Sequence, residues 1–336
     1  MRFVTFITQN PTETFTREVP GLHFGPLGTG SIIELPAAFE WALKSGVTLG
    51  APLPSDINQI IRSASVYLPV CKTILHAAES GKLPRELIRA ETATHLISPI
   101  PHPVSMRDGY AFRQHVEAAR RNRGVPMIPE FDHFPIFYFT NHLSVTGPGE
   151  VRVMPQAMDK LDFELEVAVV IGKQGRNLKA SQADEHIFGY VIWNDWSART
   201  LQMEEMKLNL GPAKGKDFAN SLGPYLVTRD ELALNAIPAE SGERHNLRMQ
   251  AWVNGVQVSD GNVKDMTWTF AQILERASYG VTLHPCEVIG SGTVGTGCFL
   301  ELNGSKITDN QWLKAGDEVV LEVEGLGRLV NRIATE

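Results

Sequence analysis

The segment LDFELEVAVVIG most constrains this chain, because Glu164 and Glu166 interrupt a run that otherwise reads as a buried strand. On a strand, residues i and i+2 share a face, so the two carboxylates project together while Phe163, Leu165 and Val167 project oppositely. Adjacent anions repel, and apolar flanks deny them the water that would relieve the repulsion. A bound cation is the simplest remedy. The alternative is an edge strand whose charged face is solvated.

The 336 residues exceed one average domain, and 43% hydrophobic with 21% charged residues is a globular composition, neither disordered nor fibrous. A net charge of -7 gives no electrostatic footprint for nucleic acid or an anionic membrane. Cys71, Cys286 and Cys298 are scattered, which argues against a disulfide framework and a thiolate metal site, and favours the cytoplasm. No stretch reaches the ~18 apolar residues of a membrane span, and the opening residues turn polar too soon for a signal peptide.

Residues 1–35 read as a short β unit, and helices are expected over Ala37–Ser45 and from Asp56 to about Glu91, broken at Pro69 and Pro84. Pro99, Pro101 and Pro103 hold the chain extended, so an N-terminal domain is expected over 1–100 and a second over 101–336. In the second, Met106 to Arg123 reads as a helix. Strands are expected at LDFELEVAVVIG, FGYVIWND, LRMQAWVNGVQV, CFLELNG and DEVVLEVEG, with a helix at AQILERAS. The fold class is α+β and β-rich.

Asp195 ends the hydrophobic run FGYVIWND, a position from which a strand offers a carboxylate at the sheet rim or caps the segment that follows. Asp108 and His115, seven positions apart, would share one face of the expected helix. Gly290, Gly292 and Gly295 fit G-x-G-x-x-G, but phosphate binding needs a helix next, and CFLELNG reads as a strand. Walker A and G-x-S-x-G strings are absent from the sequence.

Taken in order, RDGYAFRQH, LDFELEVAVVIG, HIFGYVIWNDWSAR, LGPAKGKDF and IGSGT...LELNG resemble the fumarylacetoacetate hydrolase family over residues 100–330, with its fumarylacetoacetase branch the nearest. The resemblance implies a mixed β-sandwich/roll catalytic domain, a homodimer, and one divalent metal on Asp108, Glu164, Glu166 and Asp195. Such an all-oxygen shell suits Mg2+ or Ca2+, with Mn2+ also admissible. It further implies His115 as a base oriented by Glu301, Lys216 and Gln202 as stabilisers of developing negative charge, and Tyr110 and Thr293 as substrate contacts. Met206 stands where a substrate-contacting tyrosine belongs, Asn220 replaces a threonine, and the family's substrate-binding arginine falls near Arg121 or Arg123.

The expected activity is metal-dependent hydrolysis of a carbon-carbon bond in a dicarbonyl acid, fumarylacetoacetate or an acylpyruvate, in aromatic (tyrosine) catabolism. Two other readings stand beside it: a family relative that decarboxylates, hydrates or isomerises a 2-oxo acid, and a non-catalytic protein that binds Ca2+ structurally.

Overall fold

The computed structural model describes residues 1–9, 16–237 and 239–336. Strands relevant to the site are β1 (Arg2–Gln9), β2 (Thr16–Phe24), β3 (Ser31–Glu34), β4 (Ile88–Ala90), β5 (Met106–Gly109), β6 (Phe137–Thr140), β7 (Gly149–Val153), β8 (Leu165–Ile171), β9 (Ile187–Asp195) and β10 (Asn220–Thr228). They continue with β11 (Arg248–Val253), β12 (Val256–Asn262), β13 (Val288–Gly290), β14 (Glu318–Val323) and β15 (Gly327–Thr335). The α-helices longer than four residues are α1 (Leu35–Lys44), α2 (Ile57–Arg62), α3 (Ala64–Glu79), α4 (Arg113–Asn122), α5 (Arg199–Glu205), α6 (Phe270–Ala277) and α7 (Phe299–Gly304).

The main sheet is mixed, in the order β4-β3-β2-β1-β10-β9-β8-β13-β5-β6, and a second runs β12-β11-β14-β15-β7. The apolar residues of β8 and β9 serve two cores at once, which is why these strands read as nearly unbroken hydrophobic runs. Val167, Val169, Ile171, Tyr190 and Ile192 face a core shared with Met249, Ala251, Val319 and Leu321 of the second sheet. Their neighbours Ala168, Val170, Val191 and Trp193 face a core shared with Phe39, Ile60, Ile61 and Ile74 of α1–α3. Sheet and helices thus sandwich the central strands.

The division at 100/101 therefore falls inside a shared sheet and a shared core. β1 pairs antiparallel with β10 through Arg2 and Phe3, and α1–α3 pack on strands from beyond residue 160. The helices expected over Ala37–Ser45 and Asp56 onward form, but the interruption falls at Ser63 rather than Pro69, which lies inside α3. There proline forfeits one backbone bond, a loss that burial of Tyr67, Val70 and Cys71 offsets.

Two other expectations fail. Met106–Arg123 is a strand followed by a helix, because Met106–Gly109 is gripped between β13 and β6. At Gly109 a side chain would meet the Gly290 carbonyl at 2.8 Å. LELNG is helical: the apparent alternation of FLEL conceals Phe299 and Leu302, three apart, buried on one face of α7.

Gly189 leaves no room for a side chain between β9 and β10, since a Cβ there would lie 2.3 Å from the Val227 carbonyl oxygen. Gly189→Ala is expected to cost about 2–3 kcal/mol by forcing this pair of strands apart, read as a lower urea midpoint.

Candidate active site

Three strands deliver carboxylates to one end of the main sheet. Asp108 lies on β5, Glu166 on β8, and Asp195 is the last residue of β9; each offers an oxygen within 4.8 Å of the others, and all are buried. Gly292 N–H donates to Asp108 Oδ1 (3.0 Å) and the Thr293 hydroxyl to Glu166 Oε1 (3.3 Å). Tyr138 Oη and Lys216 Nζ both donate to Asp195 Oδ2, each at 2.6 Å. Two buried oxygens, Glu166 Oε2 and Asp195 Oδ1, have no partner.

This crowding perturbs the carboxyls strongly. Burial, reinforced by the neighbouring anions, pushes Asp108 up to about 8 and Glu166 well above the usual range. Burial also raises Asp195, to about 6, although Lys216 opposes it. Oxygen donors only, unpartnered buried oxygens and mutual repulsion fit a hard divalent cation.

Glu164, the fourth expected ligand, stands apart from this trio. Its oxygens accept from Lys216 Nζ and from Arg199 Nη2 (2.7 Å), and these cations hold it below its ordinary range although burial pushes it up. It lies instead within 4.8 Å of His115 and Cys298 donors. Lys216, bonded to both Glu164 and Asp195, joins the two groups.

His115 comes from the first turn of α4 and Glu301 from α7, and they meet at 2.7 Å through Nδ1 and Oε2. Thr296 N–H donates to the other oxygen of Glu301 at 2.9 Å, and Tyr110 sets its ring edge-on to the imidazole, centroids 5.8 Å apart. The strand-to-helix transition after Gly109 therefore separates Asp108 from His115 in secondary structure, yet both converge on this region. Gln202 lies on α5, where its Oε1 accepts from Arg199 Nη1 at 3.0 Å.

A helix does follow the glycines of GSGTVGTG, contrary to expectation, but its N-terminus already holds an anion. Asp162 accepts from Phe299 N–H (2.7 Å) and Leu300 N–H (3.0 Å), and its Oδ2 also accepts from Arg199 Nε (2.8 Å). The helix dipole that would cradle a phosphate is committed to a side chain. Gly292, at φ +76°, lets the loop pass within 2.7 Å of the Gly109 carbonyl, measured from where a Cβ would sit.

A pocket of about 200 Å³ opens beside His115 and Glu301, lined also by Arg123, Met203, Leu300 and Trp312. Larger hollows, about 620 and 560 Å³, lie away from the carboxylates. Arg121 instead donates to Ser305, and Met206 is exposed. Asn220 turns its side chain to the Trp193 indole and the Asn141 carbonyl. Sequence reasoning missed Tyr138, Asp162, Arg199 and Cys298. Arg199 lies within the NDWSAR string, whereas nothing local distinguishes Tyr138, whose role depends on β6 reaching Asp195.

Residues 105–334 match the family described as fumarylacetoacetate (FAA) hydrolase C-terminal. Among curated proteins, the chain is 31% identical to the mitochondrial oxaloacetate tautomerase FAHD2A of Homo sapiens, covering 84% of this chain and 80% of that one. It is 29% identical to the oxaloacetate tautomerase YisK of Bacillus subtilis, over 78% and 83%. Among solved structures, it resembles a fumarylacetoacetate hydrolase from Exiguobacterium antarcticum (TM-score 0.69, 22% identity, 100% of both chains). It also resembles the maleylpyruvate hydrolase of Sphingobium sp. SYK-6, solved with manganese and pyruvate (TM-score 0.66, 18% identity, 100% and 99%). The solved structures support the fold, whereas these two curated relatives are named tautomerases rather than fumarylacetoacetases. Among the described residues no helix is long and apolar enough to cross a membrane.

Two outcomes follow from this geometry. Asp162→Ala removes one of the two carboxylates paired with the buried Arg199 guanidinium and leaves two helix amides without their acceptor, so a loss of about 3–5 kcal/mol is expected in chemical denaturation. Because the folded state raises Asp108, Glu166 and Asp195, their protonation stabilises it, and that contribution is full below the unfolded range near 4 and lost as pH climbs toward 8. In EDTA the melting temperature should fall between pH 5 and 8; Mg2+ or Mn2+ should restore it, most at the alkaline end.

Proposed function

The chain belongs to the fumarylacetoacetate hydrolase family, and from that premise we propose that it is a divalent-metal-dependent enzyme of enol and enolate chemistry. Its first assigned reaction is keto-enol tautomerisation of oxaloacetate or a similarly small 2-oxo diacid. The supporting observation is a single buried network in which the Asp108, Glu166 and Asp195 oxygens connect through Lys216 and Glu164 to the His115–Glu301 dyad. The names of the curated relatives point to the same reaction. A pocket of about 200 Å³ also lies below the ~300 Å³ at which ordinary ligand pockets begin, which suits a four-carbon acid.

A cation of the Mg2+, Mn2+ or Ca2+ type, held by Asp108, Glu166 and Asp195 with Glu164 alongside, would polarise the 2-oxo group. The remaining work belongs to side chains. With Nδ1–H donated to Glu301, His115 has Nε2 free to take a proton from the carbon beside the oxo group or return it there. Glu301 fixes that tautomer and stabilises the imidazolium that forms. Lys216 and Gln202 supply donors to the oxygen on which negative charge grows, and Arg123 at the pocket wall faces the distal carboxylate.

Hydrolysis of fumarylacetoacetate or an acylpyruvate is the second reading, favoured by the same dyad, which would draw its proton from water instead. The larger acid fits this pocket less well. A role in tyrosine catabolism has no support in the relatives' names, and a homodimer of this chain remains part of the proposal.

The deciding assay follows decay of the oxaloacetate enol by ultraviolet absorbance, with and without Mg2+ or Mn2+, after subtracting the rate of metal alone. Acceleration is expected, with His115→Ala slower by roughly 10²–10⁴-fold. Cleavage of fumarylacetoacetate in a parallel cuvette, with oxaloacetate unaffected, would establish the second reading. Flat traces with both substrates would overturn both.

A further inference from the structure

Cys298 lies in this network without a part in the chemistry above. It is the residue immediately before α7, fully buried, and its sulfur, a ring nitrogen of His115 and a carboxylate oxygen of Glu164 all lie within 4.8 Å of one another. The three residues come from separate segments and offer one sulfur, one nitrogen and one oxygen, a softer set than the all-oxygen trio of Asp108, Glu166 and Asp195. We propose that His115, Glu164 and Cys298 form a second, inhibitory metal site selective for Zn2+, which disables the enzyme by capturing its base.

Three features support this. Donors around a tetrahedral Zn2+ lie about 3.3–3.8 Å apart, so side-chain movements of about 1 Å or less close the shell. His115 already has the arrangement of a metal-binding histidine, because Nδ1 is engaged by the Glu301 carboxylate and Nε2 is left for an ion. The pocket reaches His115, the one member of the three in its lining, and so supplies an entry path from that side; a water would complete the shell as fourth ligand.

Charge balance allows a second ion as well. With all six carboxyls ionised, as full metal loading requires, Asp108, Asp162, Glu164, Glu166, Asp195 and Glu301 set six negative charges against two positive ones on Lys216 and Arg199, a balance of -4 before any ion is counted. One divalent ion brings it to -2. A second, binding as the Cys298 thiol releases its proton to water, brings it to -1. Buried and protonated, Cys298 is an unreactive thiol in the absence of such an ion, so the site does not make the enzyme a general redox sensor.

The inhibition depends on the proposed role of His115, whereas binding does not, and two measurements separate them. In protein saturated with Mg2+, added Co2+ should develop the near-ultraviolet thiolate-to-cobalt band; Cys298→Ser and Cys298→Ala, each checked for native near-ultraviolet dichroism, should lack it. In the turnover assay Zn2+ should inhibit despite saturating Mg2+, and either variant should need roughly tenfold more Zn2+ or higher, each scored against its own zinc-free rate. No cobalt-thiolate band in the wild type would overturn the site whether or not oxaloacetate is turned over. Zinc inhibition that excess Mg2+ relieves, or that the Cys298 variants retain unchanged, would overturn its inhibitory role by assigning the effect to the carboxylate trio.

Discussion

Mutual repulsion among buried carboxylates is the constraint around which this molecule is arranged. Six acidic side chains lie in one region with little access to water, and among the described residues Lys216 and Arg199 are the lysine and arginine that pair with them. In a low-dielectric interior, such a group persists only if each member is paired, protonated or bound to a cation. Asp162 is satisfied by a helix N-terminus and an arginine, Glu164 by two cations, and Glu301 by an imidazole and a backbone amide. Asp108, Glu166 and Asp195 are left least compensated, so they are the members suited to an ion. Unpartnered oxygens set this trio apart from a structural salt-bridge network, in which they would serve no purpose.

The scaffold makes that concentration of charge tolerable. β8 and β9 are covered by the second sheet on one face and by α1–α3 on the other, so the ends of these strands have little freedom to separate in response to the repulsion. The N-terminal helices thereby contribute to the site without touching it. Their apolar residues pack on Ala168, Val170, Val191 and Trp193, which by strand alternation share a face with Glu166 and Asp195 farther along the same strands. Gly290 completes the fit, since a side chain there would collide with the Asp108 carboxylate and the Trp193 ring.

Much of this was legible in the residues. The paired glutamates and the aspartate ending FGYVIWND were visible in the residues, and their strands formed where alternation and apolar runs placed them, whereas the pairing of His115 with Glu301 came only from the family resemblance, with Glu301 expected on a strand that proved a helix. What stayed hidden depended on partners distant in sequence. Met106–Gly109 has no strong strand signature and becomes a strand because two neighbours pair with it. FLELNG becomes a helix because Asp162, some 137 positions earlier, caps it. Tyr138 matters only once β6 reaches the sheet edge, and the two cores could not be assigned from strands whose two faces look equally apolar.

The stretch Asp162-Phe163-Glu164 acts as a molecular caliper. One jaw, Asp162, grips the start of the helix that carries Glu301, while the other, Glu164, is locked to Lys216 and so to Asp195. The gap between proton carrier and cation cradle is thus gauged by three consecutive residues rather than by the alignment of whole layers, and slow breathing of the sandwich can leave that gap unchanged.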